Sequence, residues 1–432
     1  MPIDPHNVVV GRRGLLAGGG AIALTGALAA CGGESDDGPI TLRMTTWSSS
    51  EDHLALLNGI ADAYLADHPD VESIAFDPLP FEGYTSALTT QIAGQNAPDL
   101  AWILENAAPD FVTSGALAPL GETLSGTEGY EYDDLIPAVT ELWRQDDELY
   151  AYPFSTSPFA VFVNNDLLAA AGQPTAAELI AAGEWTWDRV VEAGAAVRAQ
   201  SGADGMVIRD FDYTGWDNLS TLWTGWGARP WSEDGAECTF DAPEMVDALT
   251  FMHEAVFTQE AMPGPGTTAD FFAGEAAMTI TQISRASLLQ DATFAWDLVP
   301  LPAGPVGEYS VIGQAGLGVL TTGAHAEQAA DFLAYMTNPE NSAKLAQYFP
   351  PPRESQLTAE VLGQANPLLT PEQLQAVVID RIDAGVVKPG HTGQAQIDQA
   401  VRAALDPLWV AEADVPAVLT EVCTAIDPLL AQ

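Results

Sequence analysis

The chain of 432 residues carries 60 acidic against 14 basic side chains, a net charge of −46, with 47% apolar residues. That balance excludes nucleic acid as a partner, because phosphates need compensating cations, and it repels an anionic membrane surface. The apolar fraction suffices for packed cores, and the length fits two or three domains.

At the N-terminus, Arg12 and Arg13 precede an uncharged run from Gly14 to Ala30. A spanning helix needs about 20 strongly apolar residues, whereas this run carries Gly18, Gly19, Gly20 and Gly26. Residues 1–30 therefore read as an export signal rather than an anchor helix. The paired arginines resemble a twin-arginine signal, although Gly11 and Gly14 flank them where that pattern usually has a hydroxyl and a polar residue, so Sec export stays open. Leu28-Ala29-Ala30-Cys31 resembles a bacterial lipobox, which would make Cys31 the lipidated first residue of the mature chain. An ordinary signal peptide whose cleavage site adjoins a cysteine is the plainer alternative. Residues 31–39 are small, polar and acidic, cannot bury enough surface to fold, and read as a flexible tether. The expected location is the outer face of the cytoplasmic membrane, with the lipid as the anchor.

Two further cysteines, Cys238 and Cys423, are able to pair in an oxidising compartment; two free buried thiols fit the sequence equally well.

From Ile40 to Trp47 the chain alternates apolar and polar residues as a half-buried strand does, and Leu54, Leu57, Ile60, Ala61 and Tyr64 then recur at helical spacing. "VESIAFDPLP" reads as a second strand, "YTSALTTQIAGQ" as a helix ended by Gly94, and "PDLAWI" as a third strand. The alternation predicts an α/β layer, a parallel sheet covered by helices. Ligands of such sheets sit beyond the carboxyl ends of the strands, here the loops Trp47 to Asp52 and Ile103 to Ala108.

Further on come "AGQNAPDLAWI" (Ala93 to Ile103), "SGALAPL" (Ser114 to Leu120), "YAYPFSTSPFAVFVNNDLLAAAGQP" (Tyr150 to Pro174), "EWTWDRVVEAG" (Glu184 to Gly194), "FFAGEAAMTITQ" (Phe271 to Gln282), "PLPAGP" (Pro300 to Pro305) and "PPRES" (Pro351 to Ser355). In this order, behind a lipobox, they resemble the family-one extracellular solute-binding proteins of ABC importers, the maltose-binding-protein family, over about Ile40 to Leu430. The resemblance implies a periplasmic-binding-protein-like α/β fold, in which two doubly wound lobes are joined by hinge strands with the ligand cleft between them. The hinges would lie near Tyr152 to Pro158, Ala273 to Ala277 and Gln314 to Thr322. One lobe would then comprise 40–154 and 277–318, the other 158–273 and 322–432. It also implies a monomer that captures a sugar or oligosaccharide and delivers it to the transmembrane subunits of an ABC permease. Thr186 would cap the helix that follows it.

A sugar site wants an aromatic plate for the apolar C–H face and polar side chains for the hydroxyl rim. Trp216, Trp223, Trp226 and Trp231 crowd into 16 residues. Trp216 and Trp226 are candidate stacking residues as readily as core, with Asn218 beside them, while Trp223 and Trp187 on helices read as core. Trp47, ending the first strand, is the better-placed stacker. Glu51 follows it, as a ligand contact or simply a carboxylate at a helix N-terminus. Registered on the family segment, Glu105 and Asn106 fall where sugar-binding members place hydrogen-bonding residues, with Trp102 an inward strand residue. Gln282, a candidate ligand contact, and Ser284 stand where the family often has Gly and Trp. Gln314 stands where Gly is common, so its amide is expected in the cleft. Arg353 would reach the ligand or pin a loop, and His391 is expected to be exposed.

No catalytic residue, metal site or cofactor is expected. The chain lacks Gly-x-Ser-x-Gly, His-Glu-x-x-His and a phosphate loop, and its six histidines do not cluster. A secreted glycoside hydrolase remains an alternative. So does a binding protein for a polyamine or other small solute, since acidic residues and aromatic walls also make cation–π cages.

Overall fold

The structure, a computed structural model, describes residues 39–81, 83–208, 215–264, 269–382 and 385–431. Cys31 and the residues read as signal lie outside them, as does the tether up to residue 38. The chain divides into Met1–Pro39 and Ile40–Gln432, and all secondary structure among the described residues belongs to the second unit. No helix among those residues is long and apolar enough to cross a membrane.

Eleven strands follow in order among the described residues: β1 (Ile40–Thr46), β2 (Val71–Pro78), β3 (Leu100–Leu104), β4 (Arg144–Gln145), β5 (Glu148–Leu149), β6 (Ala151–Asn164), β7 (Asp204–Ile208), β8 (Ala276–Gln282), β9 (Trp296–Val299), β10 (Val311–Val319) and β11 (Val386–Val387). The first helix, Glu51–Asp67, buries Leu57, Ile60, Ala61 and Tyr64, the stripe its spacing predicts. It starts with Glu51 and Asp52 at the positive end of its dipole. It stops at His68, because the proline that follows disfavours helical backbone there. Thr186 is the N-cap of the helix Trp187–Ser201, with extended backbone but without a side-chain capping bond.

The main sheet runs β2-β1-β3-β10-β6-β8-β7, with β11 beside β10 and β9 beside β6. Pairs β1–β2, β1–β3 and β7–β8 are parallel, whereas β10 is antiparallel to both β3 and β6. The expected all-parallel sheet is therefore mixed. Parallel neighbours need a long crossover connection, whereas β10, which follows β9 in the chain, runs antiparallel to β3. Nothing in its local sequence encodes that direction.

Strand β6 is the spine. Its first part, Ala151 to Pro158, pairs with β10, and its second, Phe159 to Asn164, with β8 and β9. Pro153 and Pro158 donate no backbone hydrogen bond there, and the register with β10 slips between Ala315 and Leu317.

Three hydrophobic cores flank this spine. The first gathers Leu42, Met44, Tyr64, Trp102, Trp143, Tyr152 and Phe154 with Leu317, Phe332 and Leu333. The second gathers Val161, Trp187, Met206, Trp216, Trp223, Met252, Leu419 and Val422. A third, with Phe162, Leu298, Ile312, Leu374 and Val378, shares strands β6 and β10. These memberships differ from the expected boundaries. Strand β8 pairs with β7, and its Ala277, Met278 and Ile280 belong to the second core with Ala276 in the third, while the helix Ala326–Met336 packs into the first. The segment Ala273 to Ala277 turns from a short 3-10 helix into β8 without pairing to the first half. Apolar spacing marks which residues are buried; it carries no label for the sheet they are buried against.

Cys238 and Cys423 form a disulfide, with Cα atoms 5.2 Å apart, that ties a loop of the second half to the C-terminal helix Val415–Leu430.

Candidate ligand cleft at the junction of the two halves

At the carboxyl ends of β1 and β3 the loops are held by one hydroxyl: Tyr84 donates to the carbonyls of Thr45 (3.1 Å) and Trp102 (2.9 Å). Trp47 leaves β1 half-buried, its ring among those of Trp102 (4.7 Å), Tyr84 (5.2 Å), Phe154 (5.9 Å) and Phe81 (6.2 Å). Phe81 is half exposed, so this aromatic group reaches solvent at one edge. Trp102 is fully buried and stacked on Phe154, and its indole N–H has no partner among the described residues. Nearby, Ser48 Oγ and His53 Nδ1 lie 2.7 Å apart, and burial lowers the imidazole's pKa despite the opposing charge of Asp52.

Glu105 opens the 3-10 turn after β3 and is buried; Asn106 beside it is half-buried. Across from them the turn Trp216–Leu219 presents Asp217 and Asn218, both buried. Between the two turns lies Lys388, whose Nζ is 2.8 Å from Glu105 Oε1, 2.7 Å from Asp217 Oδ2 and 3.3 Å from Asn218 Oδ1. The same ammonium stands 5.8 Å from the centre of the Phe159 ring on β6. Burial works against this charge, but the Asp217 and Glu105 carboxylates outweigh it and hold the lysine pKa above its usual value.

Lys388 is carried by a strap, residues 388–393, which leaves the sheet at β11. A Cβ on Gly390 would stand 3.0 Å from the Glu105 carbonyl oxygen and 3.2 Å from Asn106 Cα, so the strap lies directly on that turn. Gly393 N–H donates to Asp110 Oδ1 (2.8 Å) on the first side. On the second side, His391 Nε2 is 3.0 Å from the Gly235 carbonyl, and its ring meets Trp231 edge-on. His391 is thus half-buried and docked rather than exposed.

The other expected contacts divide. Trp216 is 2% exposed, packed against Trp223, Phe240 and Trp231, with its Nε1–H donated to Asp398 Oδ1 at 2.9 Å. In this arrangement it is core and offers no free face for stacking. Trp226 is half-buried on Phe251, 4.9 Å between centroids. Gln314 is not aimed into the cleft: its Oε1 accepts from Trp143 Nε1 (3.0 Å) and its amide donates to the Val139 carbonyl (3.3 Å). Arg353, fully buried, donates to the carbonyls of Glu131 and Thr337 and lies over the Tyr130 ring, so it pins a loop. Gln282 is half-buried beside Gly313 and accepts from Thr281 Oγ1; Glu51 is exposed on the first helical turn. Lys388, Asp217 and Phe159 were missed by sequence reasoning. The one available signal was compositional, since Lys388 is one of two lysines in the chain.

Among the described residues no group of three or more His, Cys, Asp or Glu is arranged to hold a metal. What the site offers is an aromatic wall on the first half, the Asn106 and Asn218 amides, and the Glu105 and Asp217 carboxylates neutralised by Lys388, over one continuous strand. That combination suits a polar, uncharged solute with apolar faces.

Solved structures with this fold include the ABC substrate-binding protein Lmo0181 from Listeria monocytogenes in complex with cycloalternan (TM-score 0.76, 22% identity, covering 90% of this chain and 98% of that one). The GacH receptor of Streptomyces glaucescens, solved unliganded and with acarbose, is similar (TM-score 0.74, 20% identity, 90% and 98% covered). These likenesses define the class as a solute-binding-protein fold. By sequence the chain belongs to the bacterial extracellular solute-binding proteins, whose family profile matches residues 59–371. Its relatives include the uncharacterized lipoprotein in the oleD 5′ region of Streptomyces antibioticus, 25% identical over 334 residues (74% of this chain, 72% of the relative). The lactose-binding protein of Rhizobium radiobacter is 23% identical over 325 residues (72% and 73%).

Proposed function

We propose that this protein captures a neutral sugar or oligosaccharide outside the cytoplasm and hands it, unaltered, to the permease of an ABC importer. The observation that carries the reading is the placement of the site. The aromatic group of Trp47 packs on Phe154 of β6, and the Asp217–Asn218 turn, through Lys388, stands against Phe159 of the same strand, whose two parts pair with different neighbours. A ligand that touches both sides favours the closed arrangement over the open one, which gives the permease a difference in shape to recognise. The relatives that bind cycloalternan, acarbose and lactose support a carbohydrate as the ligand class. In this reading the chain acts as a monomer, catalyses nothing, and is anchored by lipid on Cys31. The moving bodies are the first core with its returning segment 315–349, and the second core, hinged along β6 and β10. Trp47 stacks on the ligand, and Asn106 and Asn218 bond its hydroxyls.

A thermal-shift screen against mono- and oligosaccharides tests this, because a ligand bound by the folded state alone raises the melting temperature. Trp47→Ala is expected to lose that rise while still folding. No shift with any carbohydrate, or a Trp47→Ala chain that responds like wild type, refutes the reading.

A further inference from the structure

Lysine is scarce in this chain: of 14 basic residues two are lysines. Lys344 lies at the surface, paired with Glu340 one helical turn away. Lys388 is buried at the meeting point of the two halves, 9% exposed. An ammonium has three N–H donors and no acceptor, and here three acceptors surround it: a carboxylate from the first half, and a carboxylate and an amide oxygen from the second. The Phe159 ring adds an aromatic face at cation–π distance. Such a set of acceptors is what a protein would build to bind an alkylammonium ion from solution. In this chain the place is filled from within.

We propose that Lys388 is a specificity-determining residue, a built-in counter-cation whose ammonium occupies the amine site formed by Glu105, Asp217 and Asn218 and so closes the cleft to cationic solutes. The proposal rests on the solute-binding reading for the meaning of the cleft, and its physical basis is independent of any sugar. Two ionised carboxylates buried together without a cation are strongly unfavourable, so wherever the halves are apposed the site must hold a positive charge or take up a proton. A tethered ammonium meets that need without the entropy lost by a free ligand. The strap fixes its position through the Gly393–Asp110 and His391–Gly235 bonds and through the close seat of Gly390. A polyamine would have to displace a group that cannot leave, whereas a polyol needs only the aromatic wall and the hydrogen-bonding capacity that remains.

The test is chemical rescue. In Lys388→Ala the amine site is emptied while both carboxylates stay. Ethylammonium chloride, raised through the tens of millimolar to saturation, should lift the melting temperature of this variant by about 1–2 °C more than sodium chloride at equal concentration. Wild type should show no such difference. Should Lys388→Ala fail to accumulate as folded protein, Lys388→Ala with Asp217→Asn leaves one carboxylate and the same expected preference for ethylammonium. A folded variant that responds to ethylammonium no more than to sodium chloride, or a wild type that responds as strongly as the variant, overturns the proposal. Amine rescue without any carbohydrate response in wild type would sink the sugar reading and keep this one. A carbohydrate response without rescue would do the reverse.

Discussion

Reduction of the Cys238–Cys423 disulfide should cost this protein much of its stability. The bond closes a loop spanning 185 residues, and in the chain-entropy account a cross-link of that span removes about 5 kcal/mol of freedom from the unfolded chain at 25 °C. Unfolding entropy scales at about 2.1 cal/mol/K per residue. Taken across the unit Ile40–Gln432, a loss of about 5 kcal/mol becomes a fall in melting temperature of about 6 °C. The assay is calorimetry of wild type with and without reductant, beside a Cys238→Ser/Cys423→Ser chain that cannot form the bond. Wild type should melt higher than the double variant when oxidised and meet it when reduced. If the oxidised wild type and the double variant melt within about a degree of each other, the bond either does not form or does not constrain the unfolded chain.

Gln314→Leu strips the Trp143 indole and the Val139 carbonyl of their partners. It should lower the urea midpoint by the equivalent of about 1–3 kcal/mol while leaving any carbohydrate-induced shift in place; loss of that shift in a folded chain would return Gln314 to the cleft. Asp398 has its carboxyl pKa raised, chiefly by burial, against the bonds from Trp216 and Gln394. A carboxyl raised in the folded state favours the protonated folded form, so its stabilising contribution is present below the unfolded carboxylate range and is lost as pH rises through the folded value. Asp398→Asn should therefore melt above wild type at pH 7, with the difference closing as pH falls through the carboxylate range. A difference that grows on acidification would contradict this.

Strand and helix periods from Ile40 to Leu104 were legible because each repeats several times within its own segment. The direction of β10 was not, since it depends on where the chain has been rather than on nine local residues. Family register put Glu105 and Asn106 at the turn after β3, and the structure has Glu105 buried there against Lys388. It did not separate the roles of Trp216, Gln314 and Arg353, because an indole, an amide or a guanidinium satisfies a buried neighbour as readily as a ligand. Lys388 escaped notice for a different reason: it sits among Val, Pro and Gly in a short strap with no periodicity, and its partners lie 171 and 283 positions away in sequence (217 and 105 against 388).

Because the first core draws on residues 42–154 and again on 315–349, a nascent chain cannot close it until Phe349 has left the ribosome. Until then β3 offers an unpaired edge and Trp102 and Phe154 lack Phe349 as a lid. Sheets assembled from such distant segments form slowly and expose apolar surface meanwhile. Completion of the first core is thus tied to near-completion of the chain, and truncation anywhere before residue 349 should yield a species that chaperones retain.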